Sequence, residues 1–144
     1  MNLRRLLQIK AASGSPVENL FDIDTLTGKS GITIDGSTFS GTAAKMNSAG
    51  DLALTKTIAT GSTVKVSCTM YTDGNASTSG NGIGVLLKYD DDSTVRAFYA
   101  VNADTEAKDF TATLTAEKDI VAVHLTYYNS GQNIWHVSAL KVTA

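Results

Sequence analysis

The sequence contains very few of the residues that cross-link or interrupt a small protein chain. Only one of its 144 residues is cysteine, Cys68, and only one is proline, Pro16. A single cysteine excludes an intrachain disulfide, so a hydrophobic core must stabilise the fold, and we expect synthesis in a reducing cytosol. Cys68 alternates with Val66 and Met70, which predicts a small core residue rather than a reactive thiol.

An excess of charge and long apolar runs are also lacking. The net charge is -2, which argues against the basic surface that nucleic-acid binding requires, so we expect no nucleic-acid partner. No apolar run reaches the roughly 18 residues of a membrane-spanning helix, so we expect no membrane span. The chain starts with an arginine pair typical of a signal peptide. Because Gln8 and Lys10 interrupt its apolar stretch, we expect the segment to be retained.

Catalytic motifs are missing as well. The sequence has no phosphate-binding loop, no CxxC or HExxH motif and no G-x-S-x-G nucleophile elbow. His124 and His136 both lie on late predicted strands, which favours half-buried strand histidines over members of a catalytic triad. The three glutamates each lie beside a turn or a strand end. We therefore predict a protein that is not an enzyme, with a hydrolase as the least favoured alternative.

Two acidic clusters are the only candidates for a cation site, and neither predicts a firm cofactor. Asp22 and Asp24 are two residues apart on a predicted strand and would point to the same side, where nearby carbonyls could complete a calcium site. Asp90, Asp91 and Asp92 form a run at a predicted hairpin turn, where carboxylates normally face water. We expect no cofactor, with calcium at Asp22 and Asp24 as the weak alternative.

From Val17 onwards, β-branched residues alternate with polar ones, and Asp-Gly and Ser-Gly turns separate the segments. This pattern predicts ten strands, at 19–23, 31–34, 37–42, 52–58, 63–71, 83–89, 94–101, 110–115, 121–128 and 134–142. Many short strands with regular turns are typical of sandwiches and barrels. We predict an all-β fold over residues 17–144, a two-sheet antiparallel jelly-roll-like β-sandwich.

Residues 1–16 differ from the rest of the chain and predict a short N-terminal helical arm followed by a hinge. Its leucines share one helical stripe and its cations lie on another. Pro16 lacks an N–H group and ends the helix, so the arm is separated from the sandwich. An isolated helix this short is marginal in water, which predicts that it docks on a partner protein. The predicted contact residues are Leu3, Arg4, Arg5, Leu6, Leu7 and Lys10.

Aromatic residues are the remaining candidates for a binding surface. The neighbours Tyr127 and Tyr128 must point to opposite sides of their strand, so we expect one ring to lie outside the core. Outward rings predict either an interface of a homo-oligomer, a dimer or trimer, or a surface that stacks on sugars. Core packing is the competing interpretation for each ring. The predicted glycan-binding residues are Tyr71, Tyr99, Tyr128 and Trp135.

The chain ends with NIWHVSALKVT at 133–143, an aromatic residue followed by alternating apolar residues, and begins its β-rich part with ENLFDID at 18–24. Both segments resemble the closing and opening strands of carbohydrate-binding-module-like jelly-roll domains found in tailed-phage virion proteins. Such domains occur in head fibres, capsid decorations and tail or baseplate tips. The likeness lies in the residue types and their alternation, and it covers residues 17–144.

This resemblance implies a structural virion accessory protein, made in the host cytoplasm and located on the virion. Its partners would then be capsid or tail components, held through the arm, with the sandwich displayed outward. The alternative implied by the same resemblance is a carbohydrate-binding module that recognises cell-surface glycans through exposed aromatic residues. The two interpretations are compatible, because an anchored protein can present a binding domain.

Overall fold

The computed structural model describes residues 17–73, 82–101, 106–128 and 132–144, so the predicted arm at 1–16 lies outside the described residues. The described chain contains a 3₁₀ turn at Ile23–Leu26, a short helix α1 at Ala43–Ser48 and nine strands. The strands are β1 Ile32–Asp35, β2 Thr38–Thr42, β3 Asp51–Ile58, β4 Thr63–Thr72, β5 Gly82–Tyr89, β6 Thr94–Val101, β7 Lys108–Thr115, β8 Ile120–Tyr128 and β9 Ile134–Thr143. No helix in these ranges is long and apolar enough to cross a membrane.

The strands form two antiparallel sheets. The five-stranded sheet has the order β1-β2-β9-β4-β7, and the four-stranded sheet has the order β3-β8-β5-β6. The last strand, β9, therefore lies in the centre of its sheet, with Phe39 of β2 opposite Val137 on one side and Val66 of β4 opposite Val142 on the other. The predicted all-β sandwich is confirmed.

The core lies between the inner sides of the two sheets. Val64, Val66 and Met70 of β4 are fully buried, and Ile83 and Leu87 of β5 are fully buried on the facing sheet. A fully buried side chain of this kind contributes about 1.5–3 kcal/mol. This alternation of buried and outward residues is what the sequence pattern predicts for a strand that faces a core on one side.

Cys68 lies in the same row of β4 and is 5 % exposed. Burial raises the pKa of its thiol to about 12, and the negative charge of Asp109 adds to this shift. A thiol with such a pKa is almost never the reactive thiolate at neutral pH. The interpretation of Cys68 as a small core residue is confirmed.

The predicted strand at 19–23 is wrong. The Asn19 side chain accepts hydrogen bonds from the N–H groups of Phe21 and Val142 and donates one to the Leu140 carbonyl oxygen. The hydrogen bonds of the Asn19 side chain thus take the place of most of the backbone hydrogen bonds that a strand at 19–23 would make to β9. Asp22 then caps the 3₁₀ turn, which bends the chain away from an extended path.

Helix α1 was not expected from the sequence pattern. The Thr42 hydroxyl accepts a hydrogen bond from the Lys45 N–H at 3.2 Å, which is the usual way to cap a helix start. Two residues of the helix, Ala43 and Met46, are fully buried. Six residues are too few to show a helical period in the sequence, so tertiary packing decides this element.

Candidate functional site on the outer face of the four-stranded sheet

The outward side of the four-stranded sheet, which we call the tyrosine face, is built from residues that alternate with the core residues of β5, β6 and β8. Hydrogen-bonded register places these residues in four rows across the strands. From one end to the other the rows are Thr94, Lys88, Ala122 and Ala53; then Arg96, Leu86, His124 and Asp51; then Tyr99, Gly84 and Thr126; then Gly82 and Tyr128.

Tyr99 and Tyr128 are in contact on this face. Their ring centroids are 6.2 Å apart with an angle of 61° between the planes, which is an edge-to-face arrangement. Tyr128 is 50 % exposed, so much of its ring faces solvent. The pair therefore forms an accessible aromatic surface of two adjoining rings.

Gly84 leaves open the space that the Tyr99 ring occupies on the outer surface of the sheet. A Cβ atom at position 84 would lie 2.2 Å from Tyr99 Cε1 and 2.5 Å from Tyr99 Cδ1. The tyrosine ring thus occupies the space directly over Gly84, on the neighbouring strand, where any other residue would place its side chain. This cover compensates for the missing side chain of a glycine inside a strand.

An irregularity in β6 brings Arg96 to the same face as Tyr99. Val85 pairs with Phe98, whereas the next residue, Leu86, pairs with Arg96, so Ala97 is an extra residue in a β-bulge. The Arg96 Cζ atom lies 4.7 Å from the centroid of the Tyr99 ring, within the range of a cation–π interaction. Sequence analysis missed Arg96, because strict alternation places residues 96 and 99 on opposite sides.

The second cation of the face is neutralised. Lys88 makes an ion pair with Asp51 and another, at 2.9 Å, with Asp92. These two carboxylates raise the pKa of Lys88, mainly through side-chain hydrogen bonds. Within the described residues Arg96 makes no ion pair. Among the described residues of these rows, the positive charge is therefore left uncompensated at the β6 end of the row that contains Arg96.

His124 belongs to a polar corner next to helix α1. Its Nε2 atom lies 3.2 Å from Asn47 Oδ1, and its Nδ1 atom lies 3.4 Å from Asp51 Oδ1. His136 lies on the other sheet, with its Nε2 atom 2.8 Å from Asp73 Oδ1. Both histidines are half-buried on the outward sides of their strands, which confirms that part of the sequence analysis.

The predicted glycan-binding residues are separated in space. Tyr99 and Tyr128 meet on the tyrosine face, whereas Tyr71 lies on the outward side of the five-stranded sheet, stacked on His136 with centroids 4.4 Å apart. Trp135 is 1 % exposed, so its assignment to a surface site is wrong. It lies in the central strand β9 on the same side as Val137, and that side faces the core.

Tyr127 and Tyr128 differ from expectation in one respect. Both rings are exposed, Tyr127 at 40 % and Tyr128 at 50 %. Tyr127 occupies the core-facing register of β8, in line with Leu125, but it is the last such residue of its strand. At this end of β8 the core cover is incomplete, so both sides of the strand are open to solvent.

The acidic candidates for a cation site have structural roles. Asp22 and Asp24 do not share a strand. Asp22 precedes the 3₁₀ turn and caps it, since its Oδ1 atom accepts a hydrogen bond from the Asp24 N–H at 2.9 Å. This geometry contradicts the strand face that the calcium alternative requires. Within the described residues, no three His, Cys, Asp or Glu side chains form a group that could hold a metal ion.

The acidic run at the turn between β5 and β6 is exposed, as expected, and is held by lysines. Asp91 makes an ion pair with Lys118 at 2.5 Å and accepts a hydrogen bond from the Ser93 N–H. The hydrogen bonds from Lys118 and Ser93 hold the pKa of Asp91 far below its ordinary value. These carboxylates therefore stabilise the hairpin turn.

Comparison with known proteins identifies the architecture. No protein-family model and no curated protein sequence matches the chain. Among solved structures, it is similar to the CBM22-1 xylan-binding domain of Paenibacillus barcinonensis Xyn10C, with a TM-score of 0.53 and 11% identity, covering 90% of this chain and 96% of that one. The fold is that of carbohydrate-binding-module jelly rolls.

Two further structures share the architecture. A CBM29-2 mutant complexed with cellulohexaose has a TM-score of 0.53 and 11% identity, and the match covers 89% of each chain. A family 16 carbohydrate-binding module has a TM-score of 0.50 and 9% identity, covering 88% of this chain and all of that one. At these identities the likeness shows the fold, and the jelly-roll part of the predicted resemblance is confirmed.

Proposed function

We propose that this protein is a non-catalytic glycan-binding module whose binding surface is the tyrosine face. The observation that carries the proposal is the contact between Tyr99 and Tyr128 on an outward sheet surface, with half of Tyr128 open to solvent. Aromatic rings bury large apolar areas without losing much conformational freedom, and the apolar side of a sugar ring suits them. Thr126 lies in the same row as Tyr99 and two residues before Tyr128 on β8, where its hydroxyl can bond sugar hydroxyls.

The architecture supports this proposal. One similar structure is described as a xylan-binding domain and another was solved with cellulohexaose. Extended glycans suit a flat surface because each sugar unit can meet one ring or one polar side chain in turn. The tyrosine face offers such a series, since Arg96 and Tyr99 of β6 and Tyr128 of β8 touch one after another over the intervening strand β5.

Binding is favoured over hydrolysis by the placement of carboxylates. Glycoside hydrolysis generally needs two carboxyl groups facing each other across a bond, roughly 5–9.5 Å apart. In the described part of the tyrosine face, Asp51 is the single carboxylate among the four rows, and Lys88 holds it in an ion pair. We therefore propose that this protein binds glycans without hydrolysing them.

Replacing Tyr128 by alanine tests this proposal. We expect the affinity for the best ligand found on a glycan array to fall up to about tenfold, because an aromatic contact contributes roughly 0.5–1.5 kcal/mol and a tenfold change corresponds to about 1.4 kcal/mol. Isothermal titration calorimetry measures this effect. Tyr127→Ala is the matched control, since Tyr127 is the adjacent tyrosine with similar exposure on the opposite side of β8, and it should change affinity less than twofold.

The outcomes separate cleanly if thermal unfolding shows that both variants are folded. A larger effect of Tyr128→Ala than of Tyr127→Ala supports binding on the tyrosine face. Equal effects of the two substitutions, or the absence of any bound glycan on arrays of plant, microbial and animal glycans, contradict the proposal.

Attachment to a tailed-phage virion stays a prediction from the sequence, as do the homo-oligomer and the arm at 1–16 that would mediate both. If the arm docks through its leucines, Leu6→Asp should release the protein from particles, whereas Arg4→Ala should weaken association modestly. Co-sedimentation with purified particles measures the release, and light scattering gives the oligomer mass. Equal effects of the two substitutions, both abolished by salt, would indicate an electrostatic anchor instead.

A further inference from the structure

Arg96 is an exposed cation whose surroundings suit the binding of an anion. Its side chain is exposed, and its guanidinium lies over the ring of Tyr99 with Cζ 4.7 Å from the centroid. No described carboxylate pairs with it. By contrast, Lys56, Lys88 and Lys118 each form an ion pair with an aspartate or a glutamate.

The contact with Tyr99 does not use up the hydrogen-bonding capacity of Arg96. A guanidinium is planar and carries five N–H donors around its edge, whereas the attraction to an aromatic ring needs none of them as a hydrogen bond. Two parallel donors on that edge match the two oxygens of a carboxylate. Since the ring of Tyr99 is itself held over Gly84, it keeps the Arg96 guanidinium next to the tyrosine pair.

Charge along the tyrosine face is unevenly distributed. The carboxylates of Asp51 and Asp92 lie on β3 and at the β5–β6 turn, and both are engaged by Lys88. The remaining rows toward Tyr128 contain tyrosine, glycine and threonine and no described acidic residue. A carboxylate placed next to Tyr99 would therefore meet Arg96 without repulsion from a neighbouring acid.

From these observations we propose that the tyrosine face selects glycans built from uronic acids, with Arg96 donating a bidentate pair of hydrogen bonds to the sugar carboxylate while the tyrosines stack on the ring. This inference rests on the proposed function, because it names the ligand class of the same surface. It makes Arg96, which lies on the edge strand β6, the residue that sets specificity.

The test compares each of four polymers that contain uronic acids with its own carboxyl-reduced form: polygalacturonate, alginate, hyaluronan and glucuronoxylan. Reduction removes the carboxylate and leaves the stacking faces of the sugars. We expect at least one polymer to bind about tenfold more tightly than its reduced form, which corresponds to one charge-assisted bidentate contact. Affinity electrophoresis followed by calorimetry measures the ratio.

Two substitutions of Arg96 then assign the preference. Arg96→Gln keeps a planar group over the ring and removes the charge, so the ratio should fall to within about twofold of one. Arg96→Lys keeps the charge without the planar fork and should retain only part of the preference. Lys65→Gln is the matched control for net charge, since Lys65 is exposed on the outward side of the other sheet, and it should leave the ratio unchanged.

Each result decides the inference. A ratio near one in the unmodified protein, with clear binding of neutral polymers, overturns the uronate selectivity while the glycan-binding proposal stands. A preference that survives Arg96→Gln overturns the role of Arg96. Equally tight binding of dextran sulfate would show general anion attraction and contradict carboxylate recognition. If no polymer binds in either form, the proposed function itself fails.

Discussion

Replacing Trp135 by alanine is expected to lower the free energy of unfolding by about 3–5 kcal/mol, the usual cost of removing a fully buried large aromatic residue. Trp135 is 1 % exposed and lies in the central strand of the five-stranded sheet, between Gly41 on β2 and Thr72 on β4. Because both neighbouring strands are hydrogen-bonded to β9, the sheet cannot collapse readily into the cavity. The loss is a large share of the roughly 5–15 kcal/mol that stabilises a typical domain.

Urea denaturation measures this effect, and two further variants make the measurement specific. Ile134→Ala removes the adjacent side chain, which is 44 % exposed, and should cost less than about 1 kcal/mol. Trp135→Phe should cost less than half as much as Trp135→Ala. It keeps most of the apolar volume and removes an indole Nε1 that has no hydrogen-bond partner in the described part of the protein. A loss below 1 kcal/mol for Trp135→Ala would contradict the burial of this residue.

Replacing Gly84 by alanine is expected to reduce glycan affinity by at least about 30-fold, the effect of removing a strong interface residue. The new Cβ atom would overlap the ring of Tyr99, 2.2 Å from its nearest carbon. The clash is with a movable side chain, so the ring is pushed aside and the strands stay in place. Since Tyr99 contacts both Arg96 and Tyr128, its displacement disrupts all three residues at once.

A double-mutant cycle shows whether this effect passes through Tyr99. In the Tyr99→Ala background the clash with the ring is gone, and the remaining close atom, Thr126 Cγ2 at 3.0 Å, needs to shift by only a few tenths of an ångström, so Gly84→Ala should leave binding nearly unchanged. It should also change stability by less than about 1 kcal/mol, because the gain from replacing a glycine inside a strand is offset by the close contact with Thr126. Calorimetry and thermal unfolding report the two quantities. A further loss of affinity on adding Gly84→Ala to Tyr99→Ala would show that the ring position is not the cause.

The candidate site illustrates which features a sequence pattern can and cannot predict. The interpretation of Tyr128 as an outward ring needed only the rule that adjacent strand residues face opposite sides. The same rule misplaced Arg96 relative to Tyr99, because Ala97 is an extra residue whose presence depends on the pairing of β6 with β5. Trp135 was misassigned because alternation does not say which side of a strand is covered by the opposite sheet.

Alternation of apolar and polar residues by itself determined the all-β fold, because a strand repeats every two residues whatever its partner, and turn residues separated the strands. Nine of the predicted strands are present, whereas the segment at 19–23 and helix α1 depended on tertiary hydrogen bonds and burial. Only the tertiary structure decided the candidate site. It brought β6, β5 and β8 side by side from distant parts of the chain, laid Tyr99 over Gly84, and used one bulge to turn Arg96 toward the same surface.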